Sequence, residues 1–324
     1  MFTPQTFGLA LAMTAASAAL WGSWQNTYKG AKGYAFDLFY WDFAIGLFIS
    51  AVVFAFALGG GSGAAGFAAF VRQAGAANIG YALLAGVTFN LANVLLLAAM
   101  LLAGMAVTFP LSIGIALVVG VVLSYALQPR GAVPALAAGV FCALIAVVFS
   151  AKAYAHLGPR REISRKGILL CVISGVLMGL WAPLSTRAMT RGNVLEPYGV
   201  MIFLTLGALL SCFVFNVYLM KRPIVGQSVK FSGFFEGPVT GHLFGLLGGA
   251  IWTTATLFNL LAGTVTGEAI SYAIGQSSPM IAALWGVFAW KEFSGASLRA
   301  KSYLALMFVF YVIAILLVAS ATTA

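Results

Sequence analysis

The chain has 324 residues, of which 62% are hydrophobic and only 7% charged, and its mean hydropathy is +1.03. A soluble domain carries about 25% charged residues, so this chain cannot clothe a water-facing surface and reads as a membrane protein. The formal charge of +10 does not point to nucleic acid, because the basic residues sit in short gaps between apolar runs and form no stripe.

A spanning helix needs about 20 mainly apolar residues. Ten such segments are expected in chain order: 7–27, 38–58, 77–100, 104–127, 132–150, 167–187, 197–220, 241–262, 268–290 and 302–320. The first lacks a basic leader and is followed by many equals, so it reads as a span and not as a signal peptide. Cys142, Cys171 and Cys212 are scattered through apolar segments and read as small buried hydrophobes. Gly59-Gly60-Gly61-Ser62-Gly63 has no following Lys and reads as a loop, not a phosphate cradle.

The two halves resemble each other. Leu83-Leu84-Ala85-Gly86 matches Leu246-Leu247-Gly248-Gly249, 163 residues on, and Gly104 matches Gly267 at the same spacing. Leu20-Trp21-Gly22 matches Leu180-Trp181-Ala182 at 160. Five spans per unit is odd, so the second unit must enter the bilayer upside down. The expected fold is all-α integral membrane, ten transmembrane helices as two inverted five-helix repeats, 1–150 and 167–324, joined by a cytoplasmic loop, 151–166. The gaps after the odd-numbered segments hold 13 of the 17 Lys and Arg, Arg160 and Arg161 among them. Arg72, Arg130, Arg187 and Arg191 lie on the other side. The bias puts the first side in the cytoplasm and both termini outside, in a cell (inner) membrane.

A polar side chain at mid-depth is costly, about 2.5–3.5 kcal/mol for an ionised Asp, so each one is a candidate. The first segment ends in Trp21, Trp24, Gln25 and Asn26, an interfacial belt or a gate. Asp42 opens the second segment near Lys29 and Lys32, which suggests a rim ion pair or a coupling group. Asn90 and Asn93 share a face of the third. Pro110 interrupts the fourth, and the sixth carries Trp181. The eighth places Trp252, Thr256 and Asn259 at i, i+4 and i+7, a binding stripe or a packed one, beside the close-approach row Gly241, Gly245 and Gly249. The ninth holds Glu268, Tyr272, Gln276, Ser277, Ser278 and Pro279. Glu268 is a second coupling candidate. Paired proline interruptions in corresponding segments point to a midplane site. His156 and His242 are isolated and read as a loop and a membrane-border residue. No nucleophile–base pair, metal cluster or cofactor motif is present, so no enzyme and no cofactor are expected.

Leu20-Trp21-Gly22-Ser23-Trp24, Leu38-Phe39-Tyr40-Trp41-Asp42, Phe109-Pro110-Leu111-Ser112-Ile113-Gly114 and Leu284-Trp285-Gly286-Val287-Phe288-Ala289-Trp290-Lys291-Glu292 together resemble the drug/metabolite transporter superfamily. Within it they are most similar to the glucose/ribose porter, rhamnose–proton symporter and ureide permease group. The resemblance implies a ten-helix inverted repeat and uptake of small uncharged polar solutes, often with protons. Exporters of that superfamily often carry a Glu in the first helix, and here that helix has no acid. The expectation is a secondary active transporter that imports a small neutral polar solute, foremost a monosaccharide, by alternating access with proton coupling. Its partners would be the solute and the lipid bilayer, with no nucleic acid, and the chain would be a monomer or homodimer. A ureide/nucleobase permease and a multidrug/metabolite exporter are the alternatives.

Overall fold

The computed structural model describes residues 1–59, 72, 74–157, 164–224 and 227–322. Residues 60–63 of the glycine run, and Arg160 and Arg161, lie outside them. Among the described residues every regular element is helical. In chain order these are α1 (Phe7–Trp21), α2 (Asn26–Gly30), α3 (Phe36–Leu58), α4 (Ala76–Ala103), α5 (Met105–Thr108), α6 (Gly114–Leu127), α7 (Val133–Ala155) and α8 (Arg165–Thr190). They continue with α9 (Pro197–Cys212), α10 (Phe215–Lys221), α11 (Ser232–Phe235), α12 (Val239–Thr266), α13 (Glu268–Gly275), α14 (Ser278–Leu284) and α15 (Leu298–Ser320).

Local chemistry sets the ends. Thr6, Ser164 and Ser297 cap α1, α8 and α15, each hydroxyl accepting from a backbone N–H three residues on. Pro197 begins α9, where its missing N–H costs nothing. Gly104 ends α4 with φ +75° and Gly267 ends α12 with φ +97°, a conformation that disfavours any side chain. The two glycines are the pair matched in sequence.

Among the described residues eight helical spans are long and apolar enough to cross a membrane, Phe7–Gly30 taking in α1 and α2 and Pro197–Lys221 taking in α9 and α10. Each coincides with an expected segment. The other two expected segments, 104–127 and 268–290, are helical but interrupted. The first runs through α5, a π-helical turn Phe109–Ile113 and α6. Pro110 supplies no N–H, and the chain widens at that turn. The second runs through α13, a break at Gln276–Ser277, α14 and a π-helical turn Trp285–Ala289. Pro279 lies in the first turn of α14, where proline is tolerated; it therefore starts a helix and does not kink one.

Helix packing follows two matched sets of seams. α4 packs on α8 and α9, while α12 packs on α1 and α3. α6 packs on α8, and α13 on α1. The pairs α7–α15, α3–α9 and α6–α13 cross between the halves. Glycines permit the closest seams. A Cβ on Gly46 would collide with Leu246, and one on Gly207 with Leu83; one on Gly249 would collide with Phe43, and one on Gly86 with Leu204. These contacts map onto one another when 161 is added to the α3 numbers and 163 to the α4 numbers. Large apolar side chains such as Phe141, Val122 and Leu316 face outward, as a lipid-facing surface requires.

Candidate solute-binding site

Five helices bring aromatic rings to one place. Trp21 ends α1, Phe89 lies in α4, Trp181 in α8, Trp252 in α12 and Tyr272 in α13, and all five are buried. Trp181 is the hub. Its ring centroid lies 5.8 Å from Trp21 at 88°, 5.7 Å from Tyr272 at 71° and 6.1 Å from Trp252 at 60°. Trp252 sits 4.2 Å from Phe89. Edge-to-face ring pairs contribute about 0.5–1.5 kcal/mol each beyond their burial. Close backbone passage makes room for the group: a Cβ on Gly120 would strike the Tyr272 ring, and one on Gly275 the Trp21 ring.

The polar atoms divide into used and free. Trp21 Nε1 donates to Thr256 Oγ1 at 3.0 Å, and Thr256 Oγ1 donates to the Trp252 carbonyl. The Tyr272 hydroxyl donates to the Ala116 carbonyl at 3.3 Å. Asn259 Nδ2 donates to the Ser271 carbonyl at 2.9 Å while Ser271 Oγ returns a bond to the Asn259 carbonyl at 2.7 Å, a clasp across the Gly267 bend. Ser277 Oγ donates to the Ile274 carbonyl. By contrast, the Nε1–H groups of Trp181 and Trp252 have no partner among the described residues, although the two side chains are only 3% and 4% exposed. Asn93, one turn beyond Phe89 on the same face, donates Nδ2 to the Phe89 carbonyl and keeps Oδ1 free. The Gln276 side chain, at the break between α13 and α14, is half-buried and unbonded. Ser278 places its carbonyl against Gly22 of α1.

Other expected residues lie elsewhere. Asn90 donates to Ser211 Oγ at 2.8 Å and Asn216 Oδ1 at 3.2 Å in the seam between α4 and the α9–α10 span, so its amide works between helices. Trp24 stacks on Phe43 at 4.5 Å, its Nε1–H likewise free, and Gln25 is exposed. Asn26 Oδ1 accepts from Trp290 Nε1 at 2.6 Å, Ser23 Oγ from Trp285 Nε1 at 2.9 Å, and Lys29 pairs with Glu292 at 2.8 Å. These contacts fasten the α1–α2 end to the chain after α14. Asp42 pairs with His242 and with neither Lys29 nor Lys32. Glu268 is buried against Gly263, and its backbone N–H donates to Gln128 Oε1. Pro110 lies in the π-helical turn. Among the described residues no group of three or more His, Cys, Asp or Glu could hold a metal ion.

Phe89, Trp285 and Trp290 were not among the expected site residues. Phe89 had one available signal, its place four residues before Asn93. The ring cluster itself contains no ionised side chain, so it offers aromatic faces, indole donors and amides.

The described residues build a multi-pass, all-helical membrane protein. The chain belongs to the ureide permease family, a family of membrane transporters, whose model matches residues 39–166 and 161–321. Comparison with curated proteins gives no match. Fourteen chains of solved structures match. One, a crystal structure, is 18% identical over 95% of this chain and 98% of its own, with a TM-score of 0.62. At that identity the likeness speaks to the fold alone.

Proposed function

We propose that the chain is a secondary transporter that imports a small neutral polar solute, of the ureide or nucleobase kind, through the ring cluster. The observation that carries this reading is the pair of unpartnered indole N–H groups on Trp181 and Trp252, in residues only 3% and 4% exposed. An indole nitrogen donates only, so it calls for an acceptor, which a ring carbonyl supplies. A flat ring bearing carbonyls would satisfy both donors and stack on the rings, while Asn93 and Gln276 take its N–H groups. Family membership supports the same solute class. A monosaccharide is the second reading, favoured by the free amides of Asn93 and Gln276, which suit hydroxyls. Export of a cationic drug finds no acid in α1 or in the cluster.

Alternating access would follow from ten crossings arranged as inverted halves, 1–150 and 167–324, with both ends outside an inner membrane. The reciprocal glycine seams and the matched bends at Gly104 and Gly267 support that plan. Placement beside the sugar porters of the drug/metabolite superfamily rests on the sequence motifs.

Purified protein in proteoliposomes, offered labelled allantoin, uracil, ribose, glucose and rhamnose, tests the proposal. Saturable uptake of allantoin or uracil ahead of the sugars is expected. The reverse order supports the second reading, and uptake of none contradicts both.

A further inference from the structure

An ionisable pair locks one mouth of the molecule. Asp42 lies in the second turn of α3 and is 3% exposed. His242 Nδ1 stands 2.9 Å from both of its carboxylate oxygens, and the Tyr34 hydroxyl donates to Oδ2 at 2.9 Å. His242 belongs to the first turn of α12, and its side chain keeps a quarter of its surface exposed, so it can exchange protons with water. The rings of Phe234 and Tyr34 pack around it at 4.9 and 5.1 Å. Burial, and then the bond to Asp42, hold the Tyr34 phenol above its ordinary range, so it stays a donor.

Among the described residues no Lys or Arg forms an ion pair with Asp42. Asp37 lies on α3 and Glu236 at the end of α11. Tyr28 of α2 donates to the Tyr34 carbonyl. Lys29 is engaged by Glu292, and Lys32 is exposed in the turn before α3. With a proton on the imidazole the pair is neutral overall. Without it, a buried carboxylate is left uncompensated, and breaking such a pair is strongly destabilising.

The proton therefore bears on helix packing. Gly241 seats against the Tyr34 ring and Gly245 against the Asp42 Cβ, so α3 and α12 pass closely beside the carboxylate, whose side chain is only 5% exposed. Losing the proton favours parting of the helices, which hydrates Asp42. The matching seam between α4 and α9 has no such pair. By the glycine correspondence, its residues at these positions are Phe203 and Ile79, both apolar. At these equivalent positions the α3–α12 seam carries an ionisable pair and the α4–α9 seam does not.

We propose that Asp42 and His242 form the proton-coupling site, binding one proton as α3 and α12 close and releasing it to water as they part. This rests on the transporter reading above. The test compares wild type, Asp42→Asn and His242→Gln in proteoliposomes with labelled allantoin and uracil. Solute exchange at equal pH is measured alongside accumulation driven by a gradient of about two pH units. Such a gradient can sustain up to about 100-fold accumulation at one proton per solute. Wild type is expected to accumulate solute, whereas Asp42→Asn, which leaves no buried charge, exchanges it within about twofold of wild type but only equilibrates it, and His242→Gln also fails to accumulate it. Accumulation undiminished in both variants overturns the proposal, as does wild-type exchange that the pH gradient cannot drive. Loss of exchange together with accumulation in both variants assigns the pair to structure and also overturns it. No exchange of any solute by wild type sinks the transporter reading itself, an outcome distinct from the others.

Discussion

The seven tryptophans part company at their indole nitrogens. Those of Trp21, Trp41, Trp285 and Trp290 are tied to Thr256, Met220, Ser23 and Asn26. Those of Trp181 and Trp252 remain free inside the ring cluster, and that of Trp24 is free where it stacks on Phe43. Trp21→Phe keeps the ring and removes the bond to Thr256. A hydrogen bond of this kind contributes about 1 kcal/mol net, so the variant should lose a few degrees of melting temperature, read by thermal unfolding in detergent. At the rim, Lys29 and Glu292 are 42% and 36% exposed, and surface pairs are worth about 0–1 kcal/mol. Glu292→Gln should therefore leave the melting temperature nearly unchanged, and a drop larger than that of Trp21→Phe would contradict this ranking. Sequence singled out Trp21 at the end of the first segment, and Trp181, Trp252 and Tyr272 within theirs, because large amphipathic rings in apolar segments are conspicuous. Phe89 stayed hidden among 26 phenylalanines. Asn90 and Asn259 looked like ligand groups because a buried amide needs partners; neighbouring residues occupy the Nδ2 of each, while Asn90 Oδ1 stays buried without a partner. Asp42 invited pairing with nearby lysines; its partner stands 200 residues away, brought there by the row beginning at Gly241.

At the scale of helices, the interfaces depend on what is missing from side chains. In lipid there is little hydrophobic drive between helices, so close backbone approach and dispersion carry the seams. Gly86 and Gly249 occupy equivalent places in the α4–α9 and α12–α3 seams. Gly86→Val and Gly249→Val should each lower stability by about 1–3 kcal/mol through overpacking. Gly80, in the same helix as Gly86, meets nothing within 4 Å of a Cβ. Gly80→Ala should be neutral or stabilising by up to about 1 kcal/mol, since Ala is the better helix former. Thermal unfolding of the three proteins checks the pattern, and equal behaviour at all three glycines would contradict it. Run length and hydropathy made the helical segments legible, with ends close to those observed. The two interruptions were only half legible. Pro110 marks its π-helical turn, whereas Pro279 marked a bend but in fact begins α14, and nothing local in sequence announces the turn at Trp285–Ala289.

Across the whole molecule, charge and symmetry make separate claims. From the bias of Lys and Arg to one side we propose that both termini lie outside. A C-terminal alkaline phosphatase fusion in a bacterial host should be active, and a fluorescent C-terminal GFP fusion would reverse the assignment. The inverted halves were suggested in the sequence by short matched motifs, and the glycine seams repeat that correspondence in three dimensions. Solute identity was not legible there, because a ring cluster assembled from α1, α4, α8, α12 and α13 declares its free donors only once the helices are packed. That cluster is the centre of the account, and direct binding tests it. Labelled allantoin and uracil are titrated onto purified wild type and Trp181→Phe, which keeps an aromatic ring but removes the free donor. Losing a hydrogen bond of about 1–1.5 kcal/mol should weaken binding by about five- to tenfold. Equal affinity in the two proteins, or no binding to either, would contradict the assignment of the solute to this cluster.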